Sequence, residues 1–344
     1  MRAAPGSFTF SFAIVIKGPL LRITPLFIDY YVQSTPSDVI IVYSHHNGTC
    51  GSSGTGSLAK LRELASRHTN RFAFTLNPEF KNMGGNHRNA QREAWYYGAK
   101  MASEQFGAHH VLLQRADAVF NDIGRLLPEL RAIAQPPPAV PMPGGRVGFC
   151  ALQIRLDDSY GRFHLDDHCM FGRAAAVVHF SSVDNVYYKR DARLSWSTAP
   201  GNVRRGCSFP SAESDAGYIW VMDDAKQRGL VVPTSTRDLL AERAFIIDPW
   251  AWGYVSRRGK GDDIPGAKAS ALPAGASASA GLPFQEPRIV DLLPPEMYNV
   301  TAPNGVVRHC ARRSGIFDCS GVADDVANRT DSPRWGCSAS SMRC

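Results

Sequence analysis

Arg115-x-Asp117 closes a short apolar run, Val111-Leu112-Leu113, and combines residue type with a telling position. A carboxylate at the exit of a buried strand lies where open α/β sheets bind ligands, outside the carboxyl ends of the strands. Asp117 is a hard oxygen donor suited to Mg²⁺ or Mn²⁺, which in turn would hold a diphosphate. One carboxylate alone is a weak metal site, and Arg115 offers the alternative of neutralising phosphates directly. The plainer reading is that Asp117 starts the turn before Asn121-Asp122.

His164-Leu165-Asp166-Asp167-His168-Cys169 is the densest reactive group in the chain. His164 and His168, four residues apart, suit zinc if the segment is helical, with a carboxylate as third ligand or base. Against a helix, Gly172 follows within a turn, and Phe163 and Met170-Phe171 read as the ends of a loop. The competing reading is a carboxylate pair, Asp166 and Asp167, with one acting as general base beside a sugar or phosphate. The third is a loop whose aspartates bond backbone N–H groups.

Three weaker signals follow. Asn86-His87-Arg88-Asn89-x-Gln91 opens a helix, where Arg88 and free N–H groups suit an anion, or where Asn86 or Asn89 is simply a cap. The loop holding Gly51, Gly54 and Gly56 matches neither a dinucleotide fingerprint nor a P-loop. Glu213 and Asp215 begin another helix, where acidic residues suit the helix dipole; contact with an acceptor hydroxyl is their functional alternative.

The elements that position these residues follow from periodicity. Phe10–Ile16, Asp38–Tyr43 and Arg71–Leu76 read as buried strands, and Leu20–Val32 as a helix. A helix capped by Ser57 carries Leu58, Leu61, Leu64 and Ala65 on one stripe. Ala90, Ala94, Tyr97, Gly98, Met101 and Ala102 mark the helix before Val111, and Ile123, Leu127 and Leu130 the one after Asp117. Strands alternating with helices predict an α/β fold, a mostly parallel sheet with helices on both faces. Beyond the Pro-rich stretch Gln135–Pro143, a strand is predicted at Val147–Ile154, a helix at Glu213–Arg228, and short strands at Leu230–Val232 and Ala244–Ile247. Arg257–Pro283 is rich in Gly, Ala, Ser and Pro and reads as a linker. The division expected is residues 8–255 as one domain (halves 8–134 and 147–255), a linker at 256–284, and a Cys-containing tail at 285–344.

The 344 residues carry a net charge of +7, which favours anionic partners without choosing among them. No arginine-rich block with interleaved aromatics occurs, so nucleic acid is disfavoured. Of the eight cysteines, Cys50, Cys150, Cys169 and Cys207 are scattered, whereas Cys310, Cys319, Cys337 and Cys344 crowd the end and suit disulfides in an oxidising compartment. Sequons at Asn47, Asn299 and Asn328 permit a secretory lumen. Phe8–Ile16 is short and broken by Lys17, so a signal peptide is not expected, and no run approaches the roughly 20 apolar residues of a membrane span.

Together the pieces resemble the WavE-type lipopolysaccharide synthesis proteins, a glycosyltransferase family with a GT-A-like fold. The resemblance rests on Val15-Ile16-Lys17-Gly18-Pro19-Leu20, Asn86-x-Arg88-Asn89-x-Gln91, Leu112-x-x-Arg115-x-Asp117, Asp167-His168-Cys169-Met170-Phe171-Gly172 and the helix opened by Glu213. It covers roughly residues 10 to 250; Lys17 stands where the family usually has Gln. It implies a nucleotide-sugar donor over the N-terminal half, lined by Lys17, Gly18, Pro19, Asn86, Arg88 and Asn89. Arg115-x-Asp117 would take the place of a D-x-D motif, with Asp117 as the Mn²⁺ or Mg²⁺ contact. Asp166 or Asp167 would be the base, with Glu213 in reserve. The acceptor would be a glycan or glycolipid, with work in a Golgi or secretory lumen or, for bacterial relatives, peripheral to the cytoplasmic membrane face. Three rivals stand beside it: a non-catalytic carbohydrate-binding scaffold, a zinc hydrolase using His164 and His168, and a dinucleotide- or methyl-donor-binding domain using Gly51–Gly56.

Overall fold

The computed structural model describes residues 10–18, 20–21, 24–46, 54–77, 88–133, 145–150, 163, 165–166, 168–189, 203–204, 207–208, 212–247, 249–256, 299–301, 307–313 and 316–322, with the backbone alone at some of them, including 88–90 and 212–215. Pro19, Asn86, His164, Asp167, the Gly51 end of the glycine loop, the Gln135–Pro143 stretch and the Arg257–Pro283 linker lie outside the described residues.

The first half alternates as the sequence predicts. It runs β1 (Phe12–Lys17), α1 (Thr24–Ser34), β2 (Val39–His46), α2 (Gly54–Arg67), β3 (Phe72–Asn77), α3 (Arg88–Glu104), β4 (His110–Arg115), β5 (Ala118–Phe120) and α4 (Ile123–Ile133). Helix α1 starts at Thr24 rather than Leu20, with Pro25 in its first turn, where a missing N–H costs nothing. The second half runs β6 (Val147–Cys150), β7 (Cys169–Arg173), α5 (Ala174–Lys189), the two-residue strands β8 (Val203–Arg204) and β9 (Cys207–Ser208), α6 (Ala212–Arg228), α7 (Thr236–Glu242), β10 (Ala244–Ile247) and β11 (Tyr254–Ser256).

These strands build an α/β fold, a mostly parallel sheet with helices packed on it. The sheet order is β3-β2-β1-β4-β7-β6-β10, parallel throughout except for β7, which runs antiparallel between β4 and β6. The chain lays β2 and β3 to one side of β1, then crosses back to place β4 on the other side. The β1–β4 junction is therefore a topological switch point, where the loops leaving the two strands diverge and open a crevice.

Both faces of the central strands are covered, so the interiors of β1, β2 and β4 are apolar. Ala13, Val15, Ile40, Val42, Val111, Leu113 and Met170 pack with Trp95, Ala99 and Ala102 of α3, Val177 and Phe180 of α5, and Trp220 of α6. The alternate positions Phe12, Ile14, Ile41, Tyr43, Leu112 and Phe171 pack with Phe27 and Tyr31 of α1, Leu61 and Leu64 of α2, and Ile123 and Leu127 of α4.

Four expectations change. Met170-Phe171 is not a loop end but the interior of β7, buried and paired on both sides. Helix α5 follows β7 directly, where the sequence reading placed only a polar cluster. Leu230–Val232 forms no strand: no sheet edge pairs with it, and Val231 is 61% exposed. The tail carries three strands, β12 (Asn299–Thr301), β13 (Val307–Arg313) and β14 (Ile316–Val322), which extend the main sheet antiparallel from β10. The scattered cysteines also contain a pair: Cys150 and Cys169 form a disulfide between β6 and β7.

Candidate functional site

One polar row ends the sheet on its α3 face. Lys17 and Arg115 are Cα partners in the β1–β4 ladder, Lys17 pairs with Ser44 of β2, and Ser44 with Thr75 of β3. His168 adjoins Arg115 on the other side, its carbonyl accepting from the Arg115 N–H at 3.3 Å. Side chains alternate along a strand, so Lys17 and Arg115 continue the face set by Val15 and Leu113. The row behind them is apolar, while this last row carries Thr, Ser, Lys, Arg and His. It lies at the carboxyl ends of β1 and β4, at the switch point.

The two strand ends are tied together. The Ala116 N–H donates to the Lys17 carbonyl at 2.8 Å, and the Tyr43 hydroxyl donates to the Gly18 carbonyl at 2.9 Å. Gly18 has φ 127°, a conformation that side-chain-bearing residues rarely adopt, which explains the glycine after Lys17. A buried network holds the β4 exit from below. Tyr31 Oη donates to Gln114 Oε1 at 2.7 Å, Gln114 Nε2 to the Ala118 carbonyl at 3.0 Å, and the Phe120 N–H to Tyr31 Oη at 2.8 Å. Burial pushes the Tyr31 phenol far above its ordinary pKa, so it acts as a neutral strut.

On this fixed turn Arg115 grips Asp117. Nε donates to Oδ1 and Nη2 to Oδ2, both at 2.9 Å, a bidentate fork. Asp117 is 8% exposed. Burial pushes its carboxyl up, but the Arg115 hydrogen bonds, the Arg115 charge and the Lys17 charge outweigh this and leave it below the ordinary aspartate value. Lys17, 3% exposed, lies 4.4 Å from the centroid of the Trp95 ring, and the Arg92 guanidinium lies 4.5 Å from the same ring. The buried Trp95 Nε1 has no acceptor among the described residues.

The second cluster is Asp166 and His168. Asp166 Oδ1 accepts from the His168 N–H at 2.7 Å and lies 2.6 Å from His168 Nδ1. With a carboxylate as partner, Nδ1 carries the proton and Nε2 is the basic nitrogen. Asp166 is 1% exposed. Phe163 fixes the start of this loop: its N–H donates to Thr236 Oγ1 at 2.9 Å, and α6 packs so close that a Cβ on Gly217 would lie 2.1 Å from its carbonyl oxygen.

The structure thus brings Lys17, Gly18, Arg115, Asp117, Asp166 and His168 to one edge. Arg88 and Asn89 open α3, and Glu213 lies in the first turn of α6; their backbones alone are described. Helix α3 runs back along the sheet, since Trp95 at mid-helix meets Lys17 at the carboxyl end of β1 and the Phe106 carbonyl beyond the helix end accepts from Phe10 before β1. Its N-terminus therefore faces the same edge. Sequence reasoning missed Arg92, Trp95, Tyr31 and Gln114; the spacing Trp95, Ala99, Ala102 was the available signal, because it marks the true centre of the buried stripe.

A divalent cation fits these residues poorly. Both Asp117 oxygens are engaged by the Arg115 guanidinium, which leaves a dication beside a cation. Among the described residues no three His, Cys, Asp or Glu side chains are grouped to hold a metal. No described helix is long and apolar enough to cross a membrane.

No protein-family model matches the chain, and neither does any curated protein. Among solved structures it is similar to a glycosyltransferase involved in the glycosylation of the major capsid of PBCV-1, with 10% identity, a TM-score of 0.32, and coverage of 73% of this chain and 94% of that one.

Proposed function

We propose that this chain is a glycosyltransferase of the WavE type, moving a sugar from a nucleotide-sugar donor to a glycan or glycolipid hydroxyl. The observation that carries the reading is the position of Lys17 and Arg115: partnered cations at the carboxyl ends of the two strands that flank the switch point. In this reading Lys17, Gly18 and Arg115 line the donor, together with Pro19, Asn86, Arg88 and Asn89 around the α3 N-terminus. The departing nucleoside diphosphate needs positive charge as its bond to the sugar breaks, and these residues supply it. The acceptor hydroxyl must lose a proton. His168 is the base, and Asp166 holds its ring by Nδ1 and stabilises the imidazolium that forms. Asp167 and Glu213 are the alternative bases.

The test is donor turnover: release of nucleoside diphosphate from a panel of nucleotide sugars, by the wild type and by Arg115→Met. One sugar nucleotide hydrolysed by the wild type and spared by the variant supports the reading. A folded wild type that neither binds nor cleaves any of the panel would turn the assignment to the scaffold alternative.

A further inference from the structure

In a metal-dependent transferase, the motif at this strand end supplies carboxylate oxygens to a divalent ion that screens the donor's diphosphate. Here the first position of that motif is Arg115, and the second, Asp117, gives both oxygens to it. A dication against Asp117 would sit a few ångströms from the guanidinium, in a site buried enough for that repulsion to be weakly screened. The same edge is built for an anion. Lys17 and Arg115 stand in register on neighbouring strands, their backbones about 4.8 Å apart by sheet geometry, so two long cationic side chains leave the same edge side by side. Arg92 adds a third buried cation across Trp95, and the Trp95 N–H is a buried donor with no acceptor among the described residues. Asp117 takes the Nε and Nη2 edge of the Arg115 guanidinium and so fixes the plane in which its other edge can meet phosphate oxygens with little ordering cost.

We infer that the donor's diphosphate is neutralised by Lys17 and Arg115 in place of a divalent ion, with Asp117 as the positioning residue that aims the Arg115 guanidinium. The inference rests on the transferase reading above. It converts the D-x-D position from a metal contact into an anion clamp, and makes Lys17, where the related family has Gln, the residue that supplies the missing charge.

The test is calorimetric titration of the full chain with UDP, GDP and ADP, in EDTA and in Mn²⁺. The expected result is that one nucleotide binds in EDTA with a Kd within about twofold of that in Mn²⁺. Lys17→Met and Arg115→Met each weaken it at least tenfold. Asp117→Asn also weakens it, and Asp117→Glu, which can still hold the fork, restores part of the loss. Binding seen only with Mn²⁺ and lost in Asp117→Asn overturns the inference and leaves the transferase standing with Asp117 as metal ligand. No binding of any nucleotide in either buffer, by a chain with native circular dichroism, overturns the transferase reading and this inference together. The wild-type comparison of EDTA with Mn²⁺ decides the point even where a variant fails to fold.

Discussion

Lys17 and Arg115 are Cα partners across the parallel β1–β4 ladder and end the two strands on the same face. Asp117 takes the Arg115 fork and also feels the Lys17 charge, so one carboxylate faces two cations, with Lys17 only 3% exposed. Lys17→Met keeps an unbranched side chain against Trp95 but removes a charge that favours the ionised Asp117, so the ligand-free variant should melt somewhat lower than the wild type. The wild type should gain about 2.7 kcal/mol from the bound nucleoside diphosphate at a hundred times its Kd, and the variant, binding at least tenfold more weakly, at most about 1.4 kcal/mol at the same concentration. Thermal melts of both proteins with and without nucleotide check this; a variant that keeps the full nucleotide shift would contradict it.

The Asp166–His168 contact separates two roles. His168→Ala should lower donor-to-acceptor transfer by about 10²- to 10⁴-fold, the range for losing a general base, with the Kd for nucleoside diphosphate unchanged. Asp166→Ala should in addition cost about 1–3 kcal/mol of stability, because the buried His168 N–H loses its acceptor. Kinetics and denaturant melts on the two variants distinguish them; equal loss of nucleotide binding in both would place the cluster in the donor site instead.

Much of this edge was legible in the sequence. The apolar runs ending in Lys17 and in Arg115 mark buried strands whose exits carry charge, and position does the rest. What was hidden depended on pairing rather than pattern. Cys169–Arg173 is five residues with an internal glycine and becomes a strand because β4 and β6 offer it an edge on each side. Arg308–Arg313 is too charged to announce a strand, and pairs only at the rim of the sheet. Arg92 reads as a solvated helix residue until Trp95 and Phe180 are seen to enclose it. The Tyr31–Gln114 strut joins residues 83 apart in sequence, and no local rule couples them.

His110 sits at the opposite end of β4, stacked on Phe171 and close to the charges of Arg131 and Arg173. Burial first, then those cations, pull its pKa from 6.5 down to about 4. The unfolded chain therefore binds a proton that the folded one refuses between those pH values. Stability is unaffected above pH 6.5 and falls as pH drops from there towards 4, by about 3 kcal/mol at most. His110→Phe should flatten this acid limb in urea melts across the window; an unchanged slope would show that other groups set it.

Gly217 lies inside α6, where alanine would ordinarily gain about 1 kcal/mol of helix propensity. Its Cβ would stand 2.1 Å from the Phe163 carbonyl oxygen, which is backbone and cannot swing aside. The clash outweighs the propensity. Gly217→Ala should destabilise by about 1–3 kcal/mol and displace the loop that presents Asp166 and His168, lowering turnover more than nucleotide binding. A variant as stable and active as the wild type would mean that the loop and helix are not held in this contact.

The Cys150–Cys169 disulfide joins β6 to the start of β7, one residue from His168, and both cysteines are buried. It closes a span of 19 residues, which in the chain-entropy account stabilises the fold by about 3 kcal/mol. The bond also fixes the strand end that carries the Asp166–His168 pair against the rest of the sheet. Replacing both cysteines with alanine should lower the melting temperature and lower turnover, with nucleotide binding at Lys17 and Arg115 less affected, since β1 and β4 pair independently of the bond. Intact mass under non-reducing and reducing conditions tests for the bond itself. A double variant that matches the wild type in melting temperature and turnover would show that β4 and β6 alone hold β7 in place.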